Sequence, residues 1–263
     1  MCGSSFAVRC SHQGGIESAT HTPNSRETDN SNGKRVRRGQ QMTEAEWLQM
    51  ATLFPMLETL RDKGATERKL RLFACACVRH ITHLLPSDLC RSAIDVAEQY
   101  ADGEVSADTL RDASFEAEYS RTTEGYRHSV MVSELARSAV GQLTGHFDDP
   151  WETVSGATSY PCEAVGGRPS SSDEMEEQTQ CSLLRDIFGN PFRPITLDPS
   201  WLTSTVLALA TGIYNEKAFD KMPILADALQ DAGCDNAEIL NHCRQPGEHV
   251  RGCWVVDLLL SKQ

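Results

Sequence analysis

Six residues that could bind a metal ion or act as nucleophiles lie near the C-terminus of this 263-residue chain. They supply thiol, imidazole and carboxylate groups: Cys234, His242, Cys243, His249, Cys253 and Asp257. These are the groups that zinc takes as ligands, in tetrahedral arrangements. His249, Cys253 and Asp257 are spaced four residues apart, so a helix would place them on one side. His242 or Cys243, at the end of a preceding helix, would supply the remaining ligands.

Two other interpretations of these residues stay open. A Cys-His-Asp catalytic group would use Cys253, whose pKa a helix N-terminus could lower. Residues on one straight helix, however, rarely point at a common substrate atom. The other interpretation is structural, because the spacing matches no standard zinc finger, zinc ribbon or metalloprotease helix. In it the cysteines belong to the core and the histidines lie on turns, and the sequence favours this interpretation.

Asp257 lies in the segment His249–Leu260, which is apolar on almost every side and predicts a buried terminal helix. A buried carboxylate needs a partner, and Arg244, Arg251 or a histidine is the expected one. A second set of candidate ligands occurs in the first half of the chain: Cys75, Cys77, His80 and His83. Its two cysteines are two residues apart and point away from each other on a helix. A structural role is therefore predicted for this set.

Helical periodicity with capping signals dominates the chain after residue 41. Thr43 and Glu46 form a capping box, and Thr66 and Ser87 are candidate N-caps. Apolar residues recur at three- and four-residue steps, whereas strand-like runs with period two are missing. The connections are short, as between antiparallel neighbours. The sequence therefore predicts an all-α fold, built as a helical bundle or a stack of helical hairpins.

Composition divides the chain into four segments. Residues 1–41 are polar, lack a hydrophobic period and are predicted to be a disordered leader. Residues 42–143 are predicted to form an N-terminal helical part, and residues 181–263 a C-terminal one. Residues 144–180, rich in Gly, Pro, Ser, Asp and Glu, are predicted to be a flexible acidic linker.

Charge and cysteine content limit the expected partners and compartment. The formal net charge is −12, although residues 1–41 are basic on balance. An acidic body repels phosphate backbones and anionic lipids, so nucleic acid is not the expected partner of the folded part. The basic run Lys34–Arg38 is a candidate RNA or localisation patch, but a solvated charge run is the simpler interpretation. No apolar run approaches the ~20 residues of a membrane span, and ten cysteines without a signal sequence favour a reducing cytoplasm.

Five segments carry a resemblance to a known group of proteins. They are Met42–Leu48, Arg68–Cys77, Leu183–Pro194, Asp231–Cys234 and His249–Leu260. In these segments the chain resembles a family of uncharacterised proteins common in planctomycete bacteria, over nearly everything after residue 41. The resemblance implies a bacterial cytoplasmic setting and a natural start at Met42, and it implies no catalytic residue.

Two functional hypotheses follow from the sequence. No glycine-rich phosphate loop, nucleophile elbow or zinc-protease helix is found. This absence favours a protein-binding or scaffolding module that recognises another protein through a helical groove and uses no cofactor. The alternative is a zinc-dependent enzyme or sensor that uses the C-terminal His, Cys and Asp residues.

Overall fold

The computed structural model describes residues 41–119, 138, 140–144, 149–166 and 171–262, apart from the side chains of residues 119, 162–166 and 171–173. Within this part no residue is in a β-strand, which confirms the predicted all-α fold. The α-helices, labelled in chain order, are α1 Glu44–Gln49, α2 Leu53–Asp62, α3 Glu67–His80, α4 Asp88–Ala101, α5 Ala107–Tyr119, α6 Pro150–Gly166, α7 Ser171–Phe188, α8 Ser204–Glu216, α9 Met222–Asp231, α10 Ala237–Arg244 and α11 Trp254–Leu259. Short 3₁₀ turns occur at Thr82–Leu84, Pro199–Trp201 and Phe219–Lys221.

Local capping signals explain where several helices begin. The predicted capping box is present, with the Glu46 N–H donating to Thr43 Oγ1 at 3.3 Å and the Thr43 N–H donating to Glu46 Oε2 at 2.9 Å. Thr66 and Ser87 cap α3 and α4 as predicted. Asn236 caps α10 by accepting from two backbone N–H groups. A cap satisfies N–H groups that have no partner within the helix, so each of these helices begins at a defined residue.

Helix α3 lies at the centre of the described fold. Its nine consecutive residues from Leu70 to Val78 are buried, and α4, α6 and α7 pack around it. The cysteines predicted to point apart do so, since Cys75 packs with α4 and α5 while Cys77 packs with α1, α2 and α7. A helix that is buried on all sides cannot move without disturbing every layer. It therefore provides a rigid base for the C-terminal segment.

The structure differs from the flexible linker predicted for residues 144–180. Helix α6 and most of α7 occupy this segment. Helix α6 is rich in small and polar residues and contains Pro161, but it buries Val154 and Ala157 in the core that surrounds α3. Tertiary packing therefore outweighs weak intrinsic propensity here. Helix α7 contacts α2, α3 and α11, so both predicted helical parts share it, and the described residues form one compact unit.

The predicted disordered leader, apart from residue 41, lies outside the described part of the chain. Among the described residues, no helix combines the length and the apolar character needed to cross a bilayer.

A buried ionic network joins α3, α4, α8 and α11. Arg68 binds Asp257 through two hydrogen bonds of 2.7 and 3.1 Å, and its Nε donates to Asp102 at 2.8 Å. The Tyr214 hydroxyl donates to Asp102 at 2.7 Å, and Arg251 donates to the same carboxylate at 2.8 Å. The side chains of Asp102 and Asp257 are 0% and 1% exposed. The partner expected for Asp257 was therefore wrong, because the chain supplies Arg68 from a helix far away in sequence.

The Asp102 carboxyl group is expected to make the protein less stable in acid. Burial alone would raise its pKa, but the Tyr214 hydrogen bond and the charges of Arg251 and Arg68 hold the pKa below its ordinary value. A pKa lowered by folding stabilises the protein above the unfolded value of about 3.9, and this stability is lost as the pH falls through the folded pKa. Asp102→Asn should therefore be much less stable than wild type at neutral pH, and the gap should narrow below about pH 4. Urea unfolding of both proteins across this range, with a chelator present, measures the gap; a constant gap would contradict the assignment.

Candidate metal centre

Four buried side chains from three parts of the chain converge beside α7. Asp186 lies near the end of α7, and His242 lies in the last turn of α10. His249 and Cys253 belong to residues 245–253, which join α10 to α11 and are called the connecting loop below. One ligand atom from each of the four residues lies within 4.8 Å of all the others. The side chains of the first three are 4%, 9% and 6% exposed, and Cys253 is 0% exposed.

The terminal helix is shorter than predicted, and this changes the site. Helix α11 begins at Trp254, with Cys253 as its N-cap residue, so His249 lies outside it. The chain turns at Gly252, whose φ of +94° is a backbone conformation that side-chain-bearing residues rarely adopt. The predicted helical face of His249, Cys253 and Asp257 is therefore wrong. His249 and Cys253 still meet, but through a loop, while Asp257 binds Arg68 instead.

Replacing Gly252 by alanine is expected to destabilise the protein by about 2–5 kcal/mol. Positive φ costs an alanine about 1–2 kcal/mol, and overpacking adds about 1–3 kcal/mol. A Cβ at position 252 would lie 2.9 Å from Leu72 Cδ1 and 3.2 Å from Leu72 Cβ. Gly233→Ala is the matched control, because Gly233 has a φ of +88° but no atom within 4 Å of the added Cβ. Urea denaturation should give the larger loss for Gly252→Ala, and equal losses would contradict the packing argument.

The distances in the cluster are those of groups arranged around a common centre. His242 Nε2 lies 3.1 Å from Cys253 Sγ and 3.2 Å from Asp186 Oδ1. His249 Nδ1 lies 2.6 Å from the same carboxylate oxygen and 4.0 Å from the sulfur. Zinc bonds of 2.0–2.3 Å place tetrahedral ligand atoms about 3.3–3.8 Å apart. The His249–Asp186 separation would widen by under about 1 Å to reach this geometry.

The second oxygen of Asp186 is already occupied. The Val250 N–H donates to Asp186 Oδ2 at 2.9 Å, so Oδ1 is the oxygen that faces the two imidazoles. Burial alone would raise the pKa of this carboxyl, but hydrogen bonds from His242 and His249 hold it below the ordinary value. Asp186 is therefore a carboxylate, ready to bind a cation.

Cys253 has the opposite electrostatic character. Burial and the negative charge of Asp186 raise the pKa of its thiol well above the ordinary value, and the nearby amides of Val256 and Val255 only partly oppose this effect. Without a cation the thiol stays protonated, whereas a metal ion deprotonates a thiol that coordinates it. The cluster therefore needs a bound cation to turn Cys253 into a thiolate.

The geometry argues against a Cys-His-Asp catalytic group. In such a group one imidazole nitrogen faces the nucleophile and the other faces the acid. Here the same nitrogen of His242, Nε2, faces both Cys253 and Asp186. The buried thiol also has a raised pKa, whereas a catalytic cysteine needs a lowered one and access to substrate. The side chains converge on a point and do not form a proton relay.

The other predicted ligands lie elsewhere. Cys243 is buried in the core of the C-terminal helices, and its thiol is not among the four converging groups. Cys234 packs in the same core. In the first half of the chain, His80 Nε2 lies 3.4 Å from Glu176 Oε2, an ion-pair distance for a protonated imidazole. The structure thus brings together three of the predicted ligands, His242, His249 and Cys253.

Sequence reasoning missed Asp186. This residue precedes His249 by 63 positions, and only the packing of α7 against the connecting loop brings it into the cluster. A signal was nevertheless present, because Asp186 lies among the apolar residues Leu183, Leu184 and Ile187, all of them buried. A carboxylate on the buried face of a helix needs a partner, as was argued for Asp257. The position of Asp186 on the apolar face of α7 therefore indicates a polar site.

Gln245 is placed to orient one of the imidazoles. Its amide lies 3.3 Å from His242 Nδ1. A metal on Nε2 requires a proton on Nδ1, and the Gln245 amide oxygen can accept that N–H after a half-turn of the amide.

Partners of this kind are worth about 10–100-fold in metal affinity, so we expect Gln245→Ala to weaken zinc binding by about that factor. Chelator-competition titration measures the change, with Gln230→Ala as the control because Gln230 contacts Arg244 and not the cluster; equal affinities would remove Gln245 from the site.

Comparison with known proteins identifies no relative, since no family model, curated protein or solved structure matches this chain. The resemblance to planctomycete proteins therefore stays a prediction. The fold and the four converging side chains are the basis for assigning a function.

Proposed function

We propose that this protein binds zinc at a buried centre formed by Asp186, His242, His249 and Cys253. The observation that carries the proposal is that four buried ligand atoms of the types zinc prefers lie within 4.8 Å of one another. Calcium and magnesium favour oxygen ligands, so a set with two imidazoles and a thiol favours a transition metal.

The ligand set favours a structural or sensing role for the metal. Catalytic zinc sites keep one coordination position open for water or substrate, whereas structural sites fill all four with protein groups. Here the protein supplies four groups, from α7, α10 and the connecting loop. A zinc ion bound to them would fasten these elements together. Of the two branches of the zinc hypothesis, the ligand count therefore favours the sensor over the enzyme, and the protein-binding role stays a separate prediction.

Metal content and affinity test the proposal. We expect wild-type protein to bind one zinc ion per chain in a chelator-competition titration, and we expect Cys253→Ala to weaken binding by more than about 100-fold, beyond the loss typical of an outer partner. Cys243→Ala is the matched control, because Cys243 is equally buried but lies outside the cluster. Cobalt substitution adds a spectroscopic test, since a tetrahedral thiolate site absorbs strongly in the visible and the band should vanish in Cys253→Ala. Folded wild-type protein that binds no zinc would overturn the proposal.

A further inference from the structure

The connecting loop is held at both ends by candidate zinc ligands. His242 lies three residues before its first residue, in the last turn of α10, Cys253 ends it, and His249 lies within it. Its first four residues, Gln245 to Glu248, are exposed and line an open groove of about 1120 Å³. Phe188, which is half-buried, also lines this groove. The conformation of the loop therefore helps to shape the groove.

The second half of the connecting loop has anchors that do not need a metal ion. The Val250 side chain packs in the core formed around α1, α2 and α7. Arg251 forms ion pairs with Asp102 and Glu104, and Gly252 packs closely against Leu72. This half is expected to stay in place whether or not zinc is bound.

The first half is fastened much more weakly. In residues 245–248, the Gln245 N–H donates to the Asn241 carbonyl in the last turn of α10. The other described polar contacts of these residues are that of the Gln245 side chain with His242 and a 3.9 Å ion pair between Glu248 and His80. Both partners of that ion pair are substantially exposed, so the pair contributes little. His249 Nε2 is buried without a hydrogen-bond partner among the described residues. The described polar contacts of the His249 ring are therefore those of its Nδ1 with Asp186 and Cys253.

We propose that zinc occupancy controls the conformation of residues 245–249, so that this part of the groove lining is ordered with zinc and loosens without it. The inference rests on the zinc centre proposed above. Bonds from one ion to His242 and His249 fix both ends of the short segment between them, which lowers its conformational entropy. Segments with few buried contacts open locally at a free energy below that of global unfolding. The rest of the fold, with its extensive buried core, keeps its structure when zinc is removed.

Hydrogen exchange followed by mass spectrometry on the full chain tests this inference. With zinc removed by a chelator, the amides of Gln245 and of residues 247–249 should exchange at least about tenfold faster through local opening, whereas those of α8 should still exchange only through global unfolding and stay much better protected. Cys253→Ala should show fast exchange in these residues with and without the chelator. Glu248→Gln, which weakens the ion pair with His80, should behave like wild type. The comparison of wild type with and without zinc decides the matter even if Cys253→Ala does not fold.

The outcomes separate the two proposals. Stoichiometric zinc binding, with residues 245–249 opening at a lower free energy than α8 once zinc is removed, supports both. Stoichiometric binding with unchanged exchange in the loop overturns the inference and leaves the zinc centre standing. Loop amides that stay as well protected as those of α8 after zinc is removed overturn the inference too, because the loop would then open only together with the whole fold. Absence of zinc binding in the titration overturns the zinc centre and the inference with it.

Discussion

Removing zinc from the wild-type protein is expected to lower its melting temperature by roughly 8–16 °C. A ligand that binds only the folded state at 1,000 times its Kd stabilises that state by about 4 kcal/mol. Each 1 kcal/mol shifts the melting temperature of a domain of this size by about 2–4 °C. The ion would join α7 to α10 and the connecting loop, contacts that the unfolded chain does not have. Thermal unfolding with excess zinc and with excess chelator measures the shift.

Two cysteine variants are the controls for this experiment. Cys253→Ala should lose most of the difference in melting temperature between zinc and chelator, because a ligand is missing. Cys243→Ala should retain the full response to zinc, although it creates a cavity of similar size in the core. A melting temperature that is the same with zinc and with chelator in wild type, while zinc is shown to bind, would mean that the ion does not stabilise the fold.

Replacing Arg68 by alanine is expected to cost about 3–5 kcal/mol in the free energy of unfolding. Breaking a buried ion pair by removing one partner leaves an uncompensated charge in the interior. Arg68 is only 13% exposed and binds two carboxylates that are themselves almost fully buried. Its loss leaves Asp257 without its described cation, whereas Asp102 keeps Arg251. Urea unfolding at neutral pH measures the loss.

Two comparisons sharpen the Arg68 experiment. Arg111→Ala removes an arginine that forms a 2.7 Å ion pair with Asp108, but both side chains are exposed, so a loss of under about 1 kcal/mol is expected. The double variant Arg68→Met/Asp257→Leu removes both charges and should be more stable than Arg68→Ala, because no unpaired charge remains at position 257. If Arg68→Ala and Arg111→Ala cost the same, the network does not stabilise the fold.

The local features of the fold were predictable from the sequence. Thr43 with Glu46, Thr66 and Ser87 cap helices where the sequence predicts caps. Where local signals are ambiguous, packing decides. The segment around Pro161 has the composition of a linker, yet it is helical because its few apolar residues meet the core around α3. The terminal helix is shorter than its apolar pattern suggests because Gly252 turns the chain against Leu72.

The candidate site was predictable only in part. The residue types near the C-terminus indicated zinc ligands, and His242, His249 and Cys253 do lie together. The helical spacing placed Asp257 with these ligands. In the structure it binds Arg68 instead, a residue that no local sequence pattern connects with it. Spacing along one helix says which side chains share a face, and it carries no information about what that face meets.

The amino-acid sequence by itself determined that the described chain is helical and where many of its helices begin, because periodicity and caps act over a few neighbouring residues. Only the tertiary structure decided which buried polar groups meet. Asp186 reaches His249 across 63 positions, and Arg68 reaches Asp257 across 189. Such pairs form because a buried charge must find its partner wherever the packing of the helices places one.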